Sequence, residues 1–324
     1  MTVLVCGGAG YIGAHMVRRL LDDGADVLVL DNFSTGHREA VTGVPVIEGD
    51  LRSAADLDRA FAARPIRAVM HFCALALVGD SMREPLAYYD NNVAGTLSLL
   101  QAMHRHGVDQ LIFSSTCATF GHPLRERIDE GHPQQPINPY GASKLMCERM
   151  LADAAHAHGI SSVALRYFNA AGADPAGRLG ESHTPETHLI PNIIRYAQGR
   201  APQLQIHGTD YPTPDGTCVR DYVHVLDLAD AHARALAWLA DHPGAHAFNL
   251  GSEQGRSVLD VVAAVSARAG RALDYQRCPR RAGDPPILVA DSQRARALLG
   301  WRPAYSALEN IVNDAWNWHL AQRY

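Results

Sequence analysis

Short apolar runs alternate with amphipathic stretches through the first half of the chain. Residues 2–6, 26–30, 44–47, 68–72, 110–114 and 162–165 are runs of strand length rich in β-branched and apolar side chains, as suits strands buried on both faces. Between them the apolar positions recur with helical spacing, which predicts helices ending at Asp23, over 53–63, over 84–105 and over 139–158. Strand and helix in regular alternation predict an α/β fold, a doubly wound parallel, Rossmann-type sheet with helices on both faces. Ligands of such sheets lie beyond the carboxyl ends of the strands. The polar residues there, among them Asp50, Ser114 to Thr116 and Tyr167 to Asn169, are therefore the first candidates for chemistry.

The alternation breaks down after Gly172. The segment to Tyr222 is rich in Gly, Pro, Asp, His and Thr, with one helical run at 189–198, and a loop-rich segment of this length usually has a binding role. Strands near 221–225 and 247–250 are expected to return to the sheet, and helices at 257–269 and 305–320 follow. The division expected is a first domain over 1–171 and a smaller, mostly C-terminal lobe over 172–324, with segments near 221–250 returning to the first.

Two motifs give this frame a chemistry. The first strand runs into Gly7-Gly-Ala-Gly-Tyr-Ile-Gly13 and then a helix, the context in which glycines let the backbone approach a pyrophosphate at the positive end of a helix. The next strand ends at Asp31, eighteen residues after Gly13, where a carboxylate accepts from both ribose hydroxyls and repels a 2′-phosphate. NAD is therefore favoured over NADP. Further on, Tyr140-Gly-Ala-Ser-Lys144 places a phenol and an ammonium one helical turn apart. A neighbouring cation favours the phenolate, so Tyr140 is expected to have a depressed pKa and to serve as base and acid. Thr116, at a strand end, can hydrogen-bond a substrate oxygen and relay a proton, and Lys144 can hold the cofactor ribose.

Composition narrows the classes of function. The chain has 324 residues, 47% hydrophobic and 19% charged, with a net charge of −5, which argues against a nucleic-acid or anionic-membrane surface. No apolar stretch approaches the ~20 residues that span a bilayer, and the residues from Thr2 on lead to the expectation of no signal segment. The six cysteines form no CxxC pair or disulfide framework, so a reducing, cytoplasmic setting is expected. The seventeen histidines are scattered, His156 and His158 read as surface residues, and no metal site is expected.

Six segments together resemble one family. Gly7-Gly-Ala-Gly-Tyr-Ile-Gly13, Tyr88-Tyr-Asp-Asn-Asn-Val93, Ser114-Ser-Thr116, Tyr140-Gly-Ala-Ser-Lys144, Leu165-Arg-Tyr-Phe-Asn169 and Asp215-Gly-Thr-Cys-Val-Arg-Asp-Tyr-Val-His224 look like the UDP-galactose 4-epimerases of the extended short-chain dehydrogenase/reductase superfamily. The resemblance implies reversible epimerisation at C4 of UDP-hexoses, UDP-galactose to UDP-glucose, through a transient 4-keto sugar with a retained NAD. The triad would be Thr116, Tyr140 and Lys144. The cofactor would be held by Gly7, Gly10, Tyr11, Ile12, Gly13, Asp31, Asn32, Asp50, Leu51, Asn91, Lys144 and Phe168. Besides Thr116 and Tyr140, the UDP-sugar would meet Asn169, His188, Leu189, His207, Arg220, Arg281, Asp284 and Leu288. Arginines suit a diphosphate because the planar guanidinium gives two parallel charge-assisted hydrogen bonds. The family also implies a homodimer built on the helices near 84–105 and 139–158.

The chain departs from the family at several places. Ala76 and Phe120 stand where lysine and tyrosine are common, and His188 and His207 where Asn and Phe are. Leu288, at the position that sets the room for the sugar, is intermediate in size and leaves N-acetylhexosamines open as substrates. A 4-epimerase of UDP-uronic acids would keep the same triad. A 4,6-dehydratase would need an acid beside Thr116, and Cys117-Ala118 provides none. A non-catalytic NAD(H)-sensing protein would have no use for the triad.

Overall fold

The structure is a computed structural model that describes residues 2–281 and 284–324. Seven parallel strands form the main sheet: β1 (Thr2–Cys6), β2 (Asp26–Asp31), β3 (Val46–Glu48), β4 (Ile66–His71), β5 (Gln110–Thr116), β6 (Ser161–Tyr167) and, much later in the chain, β10 (Ala245–Leu250). Their spatial order is β3-β2-β1-β4-β5-β6-β10. Alternation along each strand builds two cores. Val3, Val5, Val27, Val29, Met70, Ile112, Val163 and Leu165 pack on one face with Trp301 and Leu236. Leu4, Leu28, Leu30, Val69, Leu111 and Phe113 pack on the other with Leu99, Met103 and Leu151. Both faces are apolar, which is why these strands read as continuous hydrophobic runs.

Helices α1 (Tyr11–Asp22) and α8 (Val225–Leu239) cover the first face. The second is covered by α2 (Ala54–Ala63), α5 (Gly95–His106) and α6 (Pro139–His158). Ser53 caps α2 by accepting from the Asp56 amide, and Asn138 caps α6 by accepting from the Gly141 amide with Pro139 at the first turn. The helix expected over 84–105 is interrupted. It consists of α4 (Pro85–Tyr88), a π-helical turn at Tyr89–Ala94 and α5, preceded by the short α3 (Val78–Arg83). Among the described residues no helix is long and apolar enough to cross a membrane.

Phe168 alone separates β6 from β7 (Asn169–Ala171), where the chain passes into a second sheet. There β9 (Val219–His224) pairs in parallel with β7 and with β13 (Ile287–Leu288), and antiparallel with β11 (Gly255–Ser257). The strand expected near 221–225 thus forms as β9, but it does not return to the main sheet; the segment that returns is α8 with β10. An apolar run fixes a strand but not its partner, which is the reason for the difference. The two-stranded β8 (Gln205–His207) and β12 (Gln276–Cys278) and helices α7 (Leu189–Ala197), α9 (Val258–Ala269) and α11 (Leu308–Leu320) complete this lobe, around Ile193, Ile194, Val265 and Ile311. The short α10 (Gln293–Leu298) lies against β10.

Asp221, on β9, is buried and accepts from the Ser252 amide at 2.7 Å, the Ser252 hydroxyl at 2.7 Å, the Glu253 amide at 3.0 Å and the Ala290 amide at 3.1 Å. It ties the second sheet to the loop after β10. Asp221→Ala leaves these donors without an acceptor and is expected to cost about 3 kcal/mol. Urea denaturation measures it, as a lower midpoint at unchanged slope.

Candidate active site

The carboxyl ends of β1, β2 and β5 lie along one rim of the main sheet, where β5 meets α6. At its closest point, a side-chain carbon added to Gly141 would fall 2.3 Å from the Ala118 carbonyl oxygen. No residue but glycine permits that approach. It brings the first turn of α6, with Tyr140, onto the turn at Cys117–Thr119 that follows β5. Thr116 caps this turn, its Oγ1 accepting from the Ala118 amide at 3.1 Å.

The Tyr140 ring lies edge-on to Tyr88, with ring centroids 6.4 Å apart. Its pKa is raised, first by burial and next by Tyr167, while the interaction with Thr116 pulls the other way. The depressed value expected from a neighbouring Lys144 is therefore not found in the protein alone. Lys144 is buried and donates to the Ser114 carbonyl at 2.7 Å, with its ammonium 4.6 Å from the centroid of Phe113. Burial lowers its pKa to about 8. Desolvation thus decides both shifts, and each favours the neutral form.

Side chains that sequence reasoning passed over hold this constellation. Glu148, two helical positions past Met146 on α6, receives Ser115 Oγ, Arg166 Nε at 3.0 Å and Gln134 Nε2 at 3.1 Å. Arg166 also lies over the Phe120 ring, 5.4 Å from its centroid. The pair is a buried ion pair joining β5, α6 and β6 directly behind Thr116. Asn92, in the π-helical turn, accepts from the Leu75 amide at 2.9 Å and donates to the Leu75 carbonyl at 3.0 Å and to Ser143 Oγ at 3.0 Å. It clamps the loop after β4 to α6. Asn91, named from the sequence, turns its amide to Asn92 at 2.9 Å. The local signal for these residues was only a polar side chain in an otherwise apolar helix face.

At the other end of the rim, Gly13 packs so closely that an added side-chain carbon would lie 2.0 Å from the Gly7 carbonyl oxygen. Helix α1 begins at Tyr11 with Gly10 as cap, no side-chain cap hydrogen bond and no acidic residue in the first turn. The amides of Tyr11, Ile12 and Gly13 are thus offered at the positive helix end. Asp31 is positioned by the Ala9 and Phe33 amides, each at 2.8 Å from one of its oxygens. Asp50 accepts from Asn32 Nδ2 at 3.0 Å, and its carboxyl is held well below the usual range, first by Arg52. Leu51 is buried beside it. The Tyr11 hydroxyl reaches the Gly172 carbonyl at 2.7 Å and so joins the glycine turn to the second lobe.

Among the residues expected at a nucleotide sugar, the structure gathers Arg220, Asp284 and Leu288. Arg220 is nearly buried and pairs with Asp284, and Leu288 is its register partner on β13. Leu288 also packs against Phe168, Phe120 and Cys117 in a small cluster at the junction of the lobes. Asn169, next in the chain, pairs with Tyr222 on β9. His207 lies on β8 with Nδ1 3.3 Å from the Pro279 carbonyl, and Arg281 is exposed. His188 caps α7 just before Leu189, and its ring turns to Glu181 and Glu186.

Comparison with known proteins gives the family and the fold. The pattern of the NAD dependent epimerase/dehydratase family matches residues 3–251. The chain is 49% identical over 320 residues to the UDP-glucose 4-epimerase of Lacticaseibacillus casei, covering 98% of this chain and 97% of that one. It superposes with a TM-score of 0.94 on the UDP-glucose 4-epimerase of Brucella ovis in complex with NAD, at 48% identity and 97% coverage of both chains. The enzyme of Bifidobacterium longum, in complex with NAD+ and UDP, gives a TM-score of 0.94 at 39% identity, with 99% of both chains covered.

Gly13→Ala tests the cradle. The added carbon meets the Gly7–Gly8 backbone, so the turn must open, and copurifying dinucleotide is expected to fall at least about tenfold. Absorbance of the nucleotide released by acid, per chain, checks it, with far-UV circular dichroism as the folding control.

Proposed function

The chain belongs to the NAD dependent epimerase/dehydratase family, and from that premise we propose that it interconverts UDP-galactose and UDP-glucose by reversible inversion at C4. The observation that carries the reading is the approach of Gly141 to Ala118, which brings the helix turn that carries Tyr140 onto the turn capped by Thr116. The residues at the other end suit NAD: first-turn amides and no acid at the start of α1 for the pyrophosphate, and Asp31, already oriented by two amides, for the ribose. Asn32, Asp50, Leu51, Asn91, Lys144 and Phe168 would complete its site. When bound, NAD supplies the two-electron acceptor and donor for C4, together with a positive ring charge that opposes the effect of burial on Tyr140.

The chain's own part is the handling of the proton and of the sugar. Tyr140 takes the proton of the 4-hydroxyl as C4 is oxidised and gives it back when the 4-keto sugar is reduced on its other face. Thr116 holds the 4-oxygen and relays the proton between it and the phenol. Lys144, with its ammonium fixed by the Ser114 carbonyl, lies one turn along the same helix as a cation for the ribose. Arg220, with Arg281, meets the diphosphate, and Asn169, His188, Leu189, His207, Asp284 and Leu288 complete the contacts to the nucleotide sugar. Elimination is disfavoured beside Thr116, where the Cys117 thiol is buried and its pKa is pushed up to about 12. It is a poor donor to a leaving hydroxyl.

We further propose a homodimer. Met82 and Leu86, on α3 and α4, and Leu97 and Met146, on α5 and α6, are large apolar side chains open to solvent. Their helices would pair with their copies in a second chain as a helix bundle.

Purified protein is expected to convert UDP-galactose to UDP-glucose without added NAD. Tyr140→Phe should lower kcat by ~10²–10⁴ at unchanged dinucleotide content. A Tyr140→Phe enzyme with full activity would sink the mechanism, whereas full activity in Thr116→Val would remove only the relay. Sedimentation at micromolar concentration should give twice the chain mass, reduced to the single chain by Leu97→Glu.

A further inference from the structure

The loop Glu181-Ser-His-Thr-Pro-Glu-Thr-His188, between β7 and α7, carries two carboxylates and two imidazoles within eight residues. One donor atom from each of Glu181, His183, Glu186 and His188 lies within 4.8 Å of all the others. His188 Nδ1 is 2.6 Å from Glu181 Oε1 and 3.2 Å from Glu186 Oε1. His183 Nδ1 is 3.3 Å from Glu181 Oε1 and 3.8 Å from Glu186 Oε2. Ligand atoms at ~2.0–2.1 Å from a tetrahedral zinc stand roughly 3.3 Å from one another. The separations, 2.6–3.8 Å, lie on either side of that edge, with Glu181 offering one oxygen to both rings and Glu186 a different oxygen to each.

Burial strengthens the case. The side chains of Glu181 and Glu186 are 6% and 2% exposed, so two negative charges are withdrawn from water and must be neutralised locally. Both rings present Nδ1 inward to the same two carboxylates, and His183 Nδ1, although buried, makes no hydrogen bond of acceptable geometry. Both rings face carboxylate oxygens, contacts that a protonated ring makes as an ion pair and a neutral ring makes by sharing a metal ion with them. The scaffold is built independently of any ion. Glu186 Oε1 accepts from the Thr187 and His188 amides at 2.8 and 2.9 Å, Trp318 Nε1 donates to the Glu181 carbonyl at 2.8 Å, and Ser182 Oγ donates to the Tyr324 carbonyl at 2.9 Å.

We propose that Glu181, His183, Glu186 and His188 form a tetrahedral site for a zinc ion. Two imidazoles select against magnesium and calcium, which take oxygen shells, and a four-ligand N₂O₂ set suits zinc. With all positions filled by protein the ion is structural and performs no chemistry. It fixes the segment that caps α7, holding His188 by Nδ1 and leaving its Nε2 and Leu189 to the nucleotide sugar. The chain reading expects no metal, because the spacing Glu-x-His-x-x-Glu-x-His in a loop says nothing of whether the four side chains converge.

The test uses tag-free full-length protein stripped with a chelator and dialysed against zinc or magnesium. Elemental analysis is expected to find one zinc per chain and no magnesium, and zinc-edge X-ray absorption to find two imidazole nitrogens at about 2.0 Å. His183→Asn and Glu186→Gln should each weaken zinc binding at least about tenfold, with circular dichroism reporting the fold. Sub-stoichiometric zinc, a shell without two imidazoles, or wild-type affinity in folded His183→Asn would overturn the site and leave an ion-pair cluster only. Should both variants fail to fold, the absorption spectrum of the wild-type protein decides.

Discussion

The first turn of α6 and the turn after β5 touch backbone to backbone through Gly141 and the Ala118 carbonyl, and the active rim depends on this contact. It sets how near a phenol on a helix comes to a hydroxyl on a strand end, and neither element could set that distance alone. Behind it, Glu148 holds Ser115 and Arg166 at once, so β5, α6 and β6 cannot slide past one another without exposing a buried charge. Breaking a buried pair by removing one partner costs about 3–5 kcal/mol, far more than the pair contributes relative to an apolar substitute. The pair therefore serves geometry at the rim better than it serves stability.

The two lobes are linked by very short connections. One residue, Phe168, separates a strand of the main sheet from a strand of the second, and His224 ends β9 where α8 begins its return. The residues at this junction form a small apolar cluster of their own with Leu288. A sugar nucleotide bound across the lobes would lie against side chains whose spacing is set by covalent continuity as well as packing. Tyr11, which reaches from the glycine turn to the Gly172 carbonyl, adds a hydrogen bond to the same seam.

Burial also governs the electrostatics of the site. Tyr140 and Lys144 both lean toward their neutral forms because desolvation outweighs their interactions with neighbours. A base made in this way rests protonated in the protein alone and becomes competent when positive charge is brought close. This suits an enzyme that must not act before its cofactor and substrate are in place.

The strand and helix order, the glycine turn with Asp31, and the apolar strands buried on both faces are local properties, and the chain alone determines them. Periodicity and spacing are set by covalent geometry, which is why the parallel sheet and the dinucleotide cradle were legible without coordinates. The chain also names Thr116, Tyr140 and Lys144 as side chains able to do the chemistry. What it does not contain is partner choice. The tertiary structure alone decides that β9 joins a second sheet and not the first, and that the helix over 84–105 takes a π-helical turn to aim Asn92 at Leu75 and Ser143. It likewise decides that burial, not Lys144, sets the resting state of Tyr140, and that four loop residues from Glu181 to His188 converge. These depend on contacts between residues far apart in sequence and on the water those contacts exclude, and neither quantity exists until the chain has folded.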